Sequence, residues 1–242
     1  FAPVLKQKLF PLPEILELLL DIGKRGLNMP AEIELAVNLS TPPGAPREFA
    51  FLQMRPFVVS RDLEPVDLER RPREELVCFS RSVLGHGRID GIRDLVIVDR
   101  DRFDRSRSSE VALQVARFND ELSAQGRPYV LVGVGRWGAS DPWLGIPVTW
   151  EQIAGARVIV ECGFKDMAVV PSQGSHFFQN LVSFQVGYFT VETARDGFVD
   201  WSWLQGQAAV EETPYVRHLR FELPFHVAMD GHRGGGIIVK PS

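Results

Sequence analysis

The chain has 242 residues, of which 45% are apolar, enough to bury one sizeable core or two modest ones without disulfides or metals as staples. Its 27 Lys and Arg against 31 Asp and Glu give a formal charge of -4, so no net positive field gathers nucleic acid or an anionic membrane, and neither is expected as a partner. Cys78 and Cys162 sit in apolar runs outside any CxxC pattern, which predicts two buried thiols in a reducing, cytoplasmic compartment and no disulfide framework.

No apolar run approaches the ~20 residues of a spanning helix, and Phe1-Ala2-Pro3-Val4 lacks the charged start of a signal peptide. Opening without methionine inside an amphipathic segment, the sequence reads as a fragment whose N-terminal partner belongs to the same polypeptide. Leu12, Ile15, Leu16, Leu19 and Ile22 recur at helical spacing, with Gly26 and Pro30 placed to stop the run, so a helix is expected over about 12–25. Glu32 to Leu39 and Phe49 to Met54 flank the turn-forming Ser40-Thr41-Pro42-Pro43-Gly44, which predicts an antiparallel strand pair. A helix and a hairpin are too little for a core of their own.

Period-2 geometry places Glu32 and Glu34 on one face of the first strand and Gln53 and Arg55 on one face of the second. Two acids, an amide oxygen and a guanidinium suit the phosphate end of a metal-bound nucleotide, because Mg²⁺ takes hard oxygen ligands and Arg offers a fork that matches phosphate. A solvated sheet face with a cross-strand Glu–Arg pair is the plainer alternative. The segment from Ala31-Glu32-Ile33-Glu34-Leu35-Ala36 to Phe51-Leu52-Gln53-Met54-Arg55-Pro56 resembles the end of the ATP-grasp nucleotide-binding domain in the phosphoenolpyruvate synthase and pyruvate phosphate dikinase family. The resemblance implies that Glu34 and Gln53 are Mg²⁺ ligands and that Arg55 contacts the phosphates of ATP. Glu32, where the family has Asp, would join Arg55 on the nucleotide side.

The resemblance covers about the first quarter of the chain. The family's adenine pocket, glycine-rich loop and phosphate-gripping Lys and Arg lie upstream of this strand pair and are not found here. Downstream there is no Thr-x-His segment of a phosphohistidine domain, and the remainder is too short for a (β/α)₈ barrel of ~250 residues. The expectation is an ATP-dependent kinase or phosphotransferase in the intact parent, with an acceptor substrate the sequence does not name, and a fragment inactive alone. The alternative is a non-catalytic ligand-binding or interaction module.

The charged, proline-bearing stretch Ser60 to Glu75 reads as a boundary, giving an ATP-grasp piece at 1–57, a linker at 58–75 and a mixed α/β domain at 76–242. Strands are expected at Leu76 to Phe79, Leu95 to Val98, Tyr129 to Val134, Arg157 to Glu161, Gly187 to Val191 and Gly236 to Val239, with Gly231 and Gly234-Gly235-Gly236 turning into the last. Val111, Val115, Phe118 and Leu122 mark a helix between the second and third, a βαβ unit, while short later spacings argue for antiparallel additions. The fold class expected is α+β or mixed α/β.

Gly133-Val134-Gly135-Arg136-Trp137-Gly138 satisfies GxGxxG after a strand, but Pro142, Gly145 and Pro147 exclude the helix that a dinucleotide fingerprint needs. Were that reading right after all, Glu161 would meet the ribose. Two uses of the loop stay open. One is a ligand loop with Arg136 as charge, Trp137 and Trp143 as stacking faces and Asp141 beside them; the other is an aromatic-packed loop that closes the core. Pro171 to Asn180 reads as a helix entry with Gln173 and His176 as ligand contacts, and Ser175 beside His176 lacks an orienting acid for hydrolysis. His218, His226 and His232 lack zinc-ligand spacing.

Overall fold

A computed structural model of the chain describes residues 10–27, 31–42, 44–56, 71–139, 141, 143–164, 186–191, 197–231 and 233–241. Two compact units divide it, residues 1–59 and residues 60–242.

In the first unit, helix α1 (Leu12–Leu27) lies against strands β1 (Ala31–Asn38) and β2 (Glu48–Pro56), which pair antiparallel. Close approach is built in at Gly23, where a β-carbon would fall 2.6 Å from Met54 Sδ and 2.9 Å from Ala31 Cβ. Phe10 is buried and stacks on Phe49 with ring centroids 6.4 Å apart. Ile33, Leu35 and Val37 are half-buried while Glu34, Ala36 and Asn38 are exposed, the alternation a one-sided hairpin requires. Leu18, Ile22, Phe51 and Leu52 remain exposed, in keeping with the small apolar area that the three described elements enclose.

The second unit is built on one ten-stranded mixed sheet. Strands β3 (Leu76–Ser80), β4 (Val83–Leu84) and β5 (Gly87–Val98) come first, followed by helix α2 (Ser108–Ala124) and strand β6 (Tyr129–Val134). After two short strands, β7 (Arg136–Trp137) and β8 (Gly145–Ile146), come β9 (Ala156–Cys162) and β10 (Gly187–Val191). The remaining described strands and helix are β11 (Phe198–Val199), α3 (Trp201–Gly206), β12 (Ala209–Glu212), β13 (Val216–Asp230) and β14 (Gly235–Val239). β5, β6, β9 and β10 are parallel in that spatial order, and α2 is the crossover between the first two. Antiparallel β13, β14, β3 and β11 extend the sheet beyond β5.

The sheet curls until its ends meet. β4, which follows β3 after two residues, pairs with β10; Thr190 N–H donates to Ser82 O at 2.9 Å, and the Ser80 hydroxyl donates to Thr190 O. Inside the curl lie Leu95, Ile97, Val130, Val132, Val158, Val160, Phe189 and Val227. The opposite face carries Val96, Val98, Leu131, Ile159 and Tyr188 beneath Val111, Val115, Phe118 and Leu122 of α2. Parallel strands covered on both faces read as continuous apolar runs, and each fully buried side chain contributes roughly 1.5–3 kcal/mol.

The expected helices and strands at 12–25, 49–54, 76–79, 95–98, 111–122, 129–134, 157–161, 187–191 and 236–239 all lie within observed elements, and the strand expected at 32–39 overruns β1 by one residue, Leu39. The helix expected near 171–184 falls outside the described residues. Missing from the expectation were the first half of β5, α3, β12 and above all β13, the longest strand. There Arg217 and His218 are buried next to each other and Pro224 sits where the pairing with β5 shifts register between Arg220 and Phe225, the kind of place a sheet tolerates proline. Arg217 is held because its guanidinium donates to Leu204 O at 3.4 Å and Gln207 O at 2.6 Å, satisfying carbonyls at the end of α3. No helix among the described residues is long and apolar enough to cross a membrane.

Candidate functional site

On the hairpin, register pairs Glu32 with Arg55 and Glu34 with Gln53, with a bulge after Glu34. Directly opposed residues project to the same face with β-carbons roughly 4.5–5.5 Å apart, so Glu34 and Gln53 share one face of the hairpin. Glu34 is exposed and Gln53 half-buried; Glu32 is half-buried, and the side chain of Arg55 lies outside the description. An exposed carboxylate opposite an amide fits the hard-oxygen, partly hydrated coordination that Mg²⁺ prefers.

In the second unit the glycine-rich loop resolves into a packed structure with no helix behind it. β7 and β8 pair in parallel, bringing Arg136 beside Gly145 so tightly that a β-carbon on Gly145 would fall 2.0 Å from Arg136 O. Trp137 is 1% exposed, its indole N–H donating to Val160 O at 3.1 Å and its amide to the Glu161 carboxyl at 3.2 Å. The expected stacking role of Trp137 is therefore corrected: its ring is core. Glu161 is likewise buried, its Oε2 accepting from Trp137 N–H and the Tyr188 hydroxyl, and at 1% exposure it lies inside the core. Arg136 is half-buried and its amide donates to Leu144 O at 2.9 Å. Asp141 folds the loop, its carboxylate accepting from Trp143 N–H at 2.9 Å. Gln173 and His176 lie outside the described residues.

Trp143 behaves differently. It is 60% exposed and lines a cavity of about 440 Å³ together with Arg100, Asp101, Phe103, Asp104, Arg105, Val134 and Phe164. Every one of these residues belongs to the chain at or just beyond the carboxyl ends of β5, β6 and β9, the edge at which parallel sheets gather their ligand sites. Phe103 stacks on Phe164 at 5.9 Å, and the Arg105 guanidinium covers the other ring contact of Phe164 at 4.1 Å. Asp104 is committed to the turn before α2, accepting from Ser106 N–H at 2.9 Å and Ser106 O–H at 2.8 Å, bonds that hold its carboxyl below the usual carboxylate range. Asp101 accepts from the Gln205 side-chain amide.

The Asp99-Arg100-Asp101-Arg102 run reads in sequence as a solvated loop, which is why its cavity-lining members were not foreseen; the signal was its place immediately after an apolar strand of a βαβ unit. At the opposite end of the parallel strands, buried Asp94 meets His218 Nε2 at 2.8 Å, Arg220 at 3.2 Å and the Arg127 guanidinium. That cluster ties β5, β13 and the chain after α2 together and leaves its carboxylate saturated. His226 pairs with Asp90 at 2.9 Å, His232 is outside the described residues, and no group of three or more His, Cys, Asp or Glu able to hold a metal occurs among the described residues. Set against family models, curated proteins and solved structures, the chain matches none of them.

Proposed function

We propose that residues 31–56 supply the magnesium and phosphate end of an ATP-grasp nucleotide site related to that of phosphoenolpyruvate synthase, the adenine-binding half being contributed by another segment of the parent polypeptide. The observation that carries this reading is the register that sets Glu34 opposite Gln53 and Glu32 opposite Arg55. It sets the backbone positions of those four residues opposite one another on neighbouring strands, which is the arrangement the resemblance calls for. The exposed Leu18, Ile22, Phe51 and Leu52 support it further, since apolar surface of this extent on the described helix and hairpin is suited to docking on the rest of a nucleotide domain.

In this reading Glu34 and Gln53 hold Mg²⁺, and Arg55 steadies a phosphate group. Bound there, Mg²⁺ would neutralise charge on the phosphate oxygens during phosphoryl transfer to an acceptor. The chain's own contribution is position: a hairpin fixes its donors without loop entropy. Calorimetric titration of Mg²⁺-ATP into the protein carrying both halves tests it. Glu34→Gln and Arg55→Ala should each weaken binding about tenfold or more, the equivalent of one lost charge-assisted contact. Unchanged affinity in both variants removes the proposal.

A further inference from the structure

Apart from the hairpin, the second unit contains a site of its own. We infer that the cavity beyond β5, β6 and β9 binds a small anionic ligand built on a planar ring, of the size of a nucleoside monophosphate, with Arg100 receiving the anion and Trp143 the ring. The inference stands independently of the nucleotide-half reading.

Arg100 carries it. Its Nε is buried without a hydrogen-bond partner among the described residues, and its guanidinium lies 5.6 Å from the centroid of Trp201. Leaving a guanidinium N–H unsatisfied away from water is costly, and protein interiors rarely retain one without a use. The two acids that line the cavity do not answer it: Asp104 is turned to Ser106 and Asp101 to Gln205. An anion entering the cavity would supply the missing acceptor, and Arg presents a planar fork suited to phosphate or carboxylate.

The ring half of the ligand follows from the walls. Trp143 keeps 60% of its surface exposed while lining the cavity, although the loop that carries it is otherwise tightly tied by Asp141 and by the β7–β8 pairing. Phe103 and Phe164 form a stacked floor. A volume of about 440 Å³ lies within the range of roughly 300–1,000 Å³ that encloses small organic ligands and is generous for a bare inorganic ion.

The test is calorimetry on the intact chain, in EDTA so that any magnesium-dependent nucleotide site is silent, with the four 5′-ribonucleotides, nicotinate, adenosine and inorganic phosphate as titrants. The expected result is saturable binding of at least one nucleotide or of nicotinate, the two arms separating phosphate from carboxylate. Adenosine and inorganic phosphate should bind about tenfold or more weakly than the best titrant. Arg100→Gln and Trp143→Ala should each weaken that titrant about tenfold with an unchanged thermal midpoint, while Glu34→Gln leaves it unaffected. No saturable heat with any of the five anionic ring compounds at about millimolar concentration, or equal binding by the Arg100 variant, overturns the inference.

Discussion

The indole of Trp137 lies directly over Gly133, so close that a β-carbon on that glycine would fall 2.1 Å from Cζ2 and 2.8 Å from Cε2. The first glycine of the GxGxxG run is therefore a seat for an aromatic ring. Gly135 has its own reason, with φ at 72° and the Phe164 ring 2.5 Å from where a β-carbon would stand. Neither requirement involves a phosphate.

A first prediction follows from that seat. Gly133→Ala forces Trp137 off its hydrogen bond to Val160 and should destabilise the second unit by about 1–3 kcal/mol, the usual scale of overpacking. Urea denaturation followed by tryptophan fluorescence measures it. A midpoint equal to that of the parent would show that the ring has room to move.

Asp94 should set the acid limit of stability. Burial pushes its carboxyl up, but hydrogen bonds from His218 and Arg127, with the charges of Arg127 and Arg220, outweigh burial and hold it below the usual value. A folded-state value lower than the unfolded ~3.9 gives stabilisation that is complete above that pH and is lost as the pH falls through the folded value. Asp94→Asn should therefore be destabilised by about 3 kcal/mol at neutral pH, because two guanidinium groups lose their counter-charge, and should show a flatter loss of stability below about pH 4. Unfolding free energies across that range decide it; parallel curves for both proteins would contradict it.

Asp200 performs two tasks at once. Its carboxylate caps α3 by accepting from Trp203 N–H at 3.0 Å, and it accepts from Lys240 Nζ at 2.7 Å, fastening the chain after β14 to the start of the helix. Asp200→Ala should cost about 1–2 kcal/mol, and Asp200→Asn, which keeps a capping oxygen but not the charge, distinctly less. Equal losses in the two variants would mean that the ion pair, and not the cap, holds α3.

Both thiols should be silent in the folded state. Burial pushes Cys78 and Cys162 well above the ordinary thiol value, and the neighbouring Glu161 charge raises Cys162 further against the opposing pull of Arg100. Iodoacetamide in mildly alkaline buffer should label neither until denaturant is added, when both react; mass spectrometry counts the labels. Prompt labelling of Cys162 in the native protein would place it at an open edge.

How much of this was legible beforehand varies with how local the cause is. Val130, Leu131 and Val132 announce β6 because a parallel strand covered on both faces must be apolar at every position. β13 was hidden because its partners lie far away in sequence: Arg217 is buried only because α3 ends above it, and His218 only because Asp94 waits opposite. The hairpin could be read, since two short strands flank a turn, but its register, with the bulge after Glu34, could not. The cavity could not, because it is assembled from three strand ends whose neighbourhood depends on the sheet order, and a charged run such as Asp99 to Arg102 looks the same in sequence whether it meets solvent or a ligand.

The pairing of β3 with β14 joins Leu76 to Val239 and Cys78 to Ile238, and β10 meets the chain just after β3 from the other side. During synthesis, then, β3 waits for the short β11 and finally for β14, both made long after it, before its two borders are occupied. Until β14 has been made, one edge of β3 and one edge of β13 stand unpaired, and pairings between strands this distant in sequence are slow to form. Removing the five residues of β14 should leave both of those edges open and promote aggregation, which light scattering of the truncated chain measures.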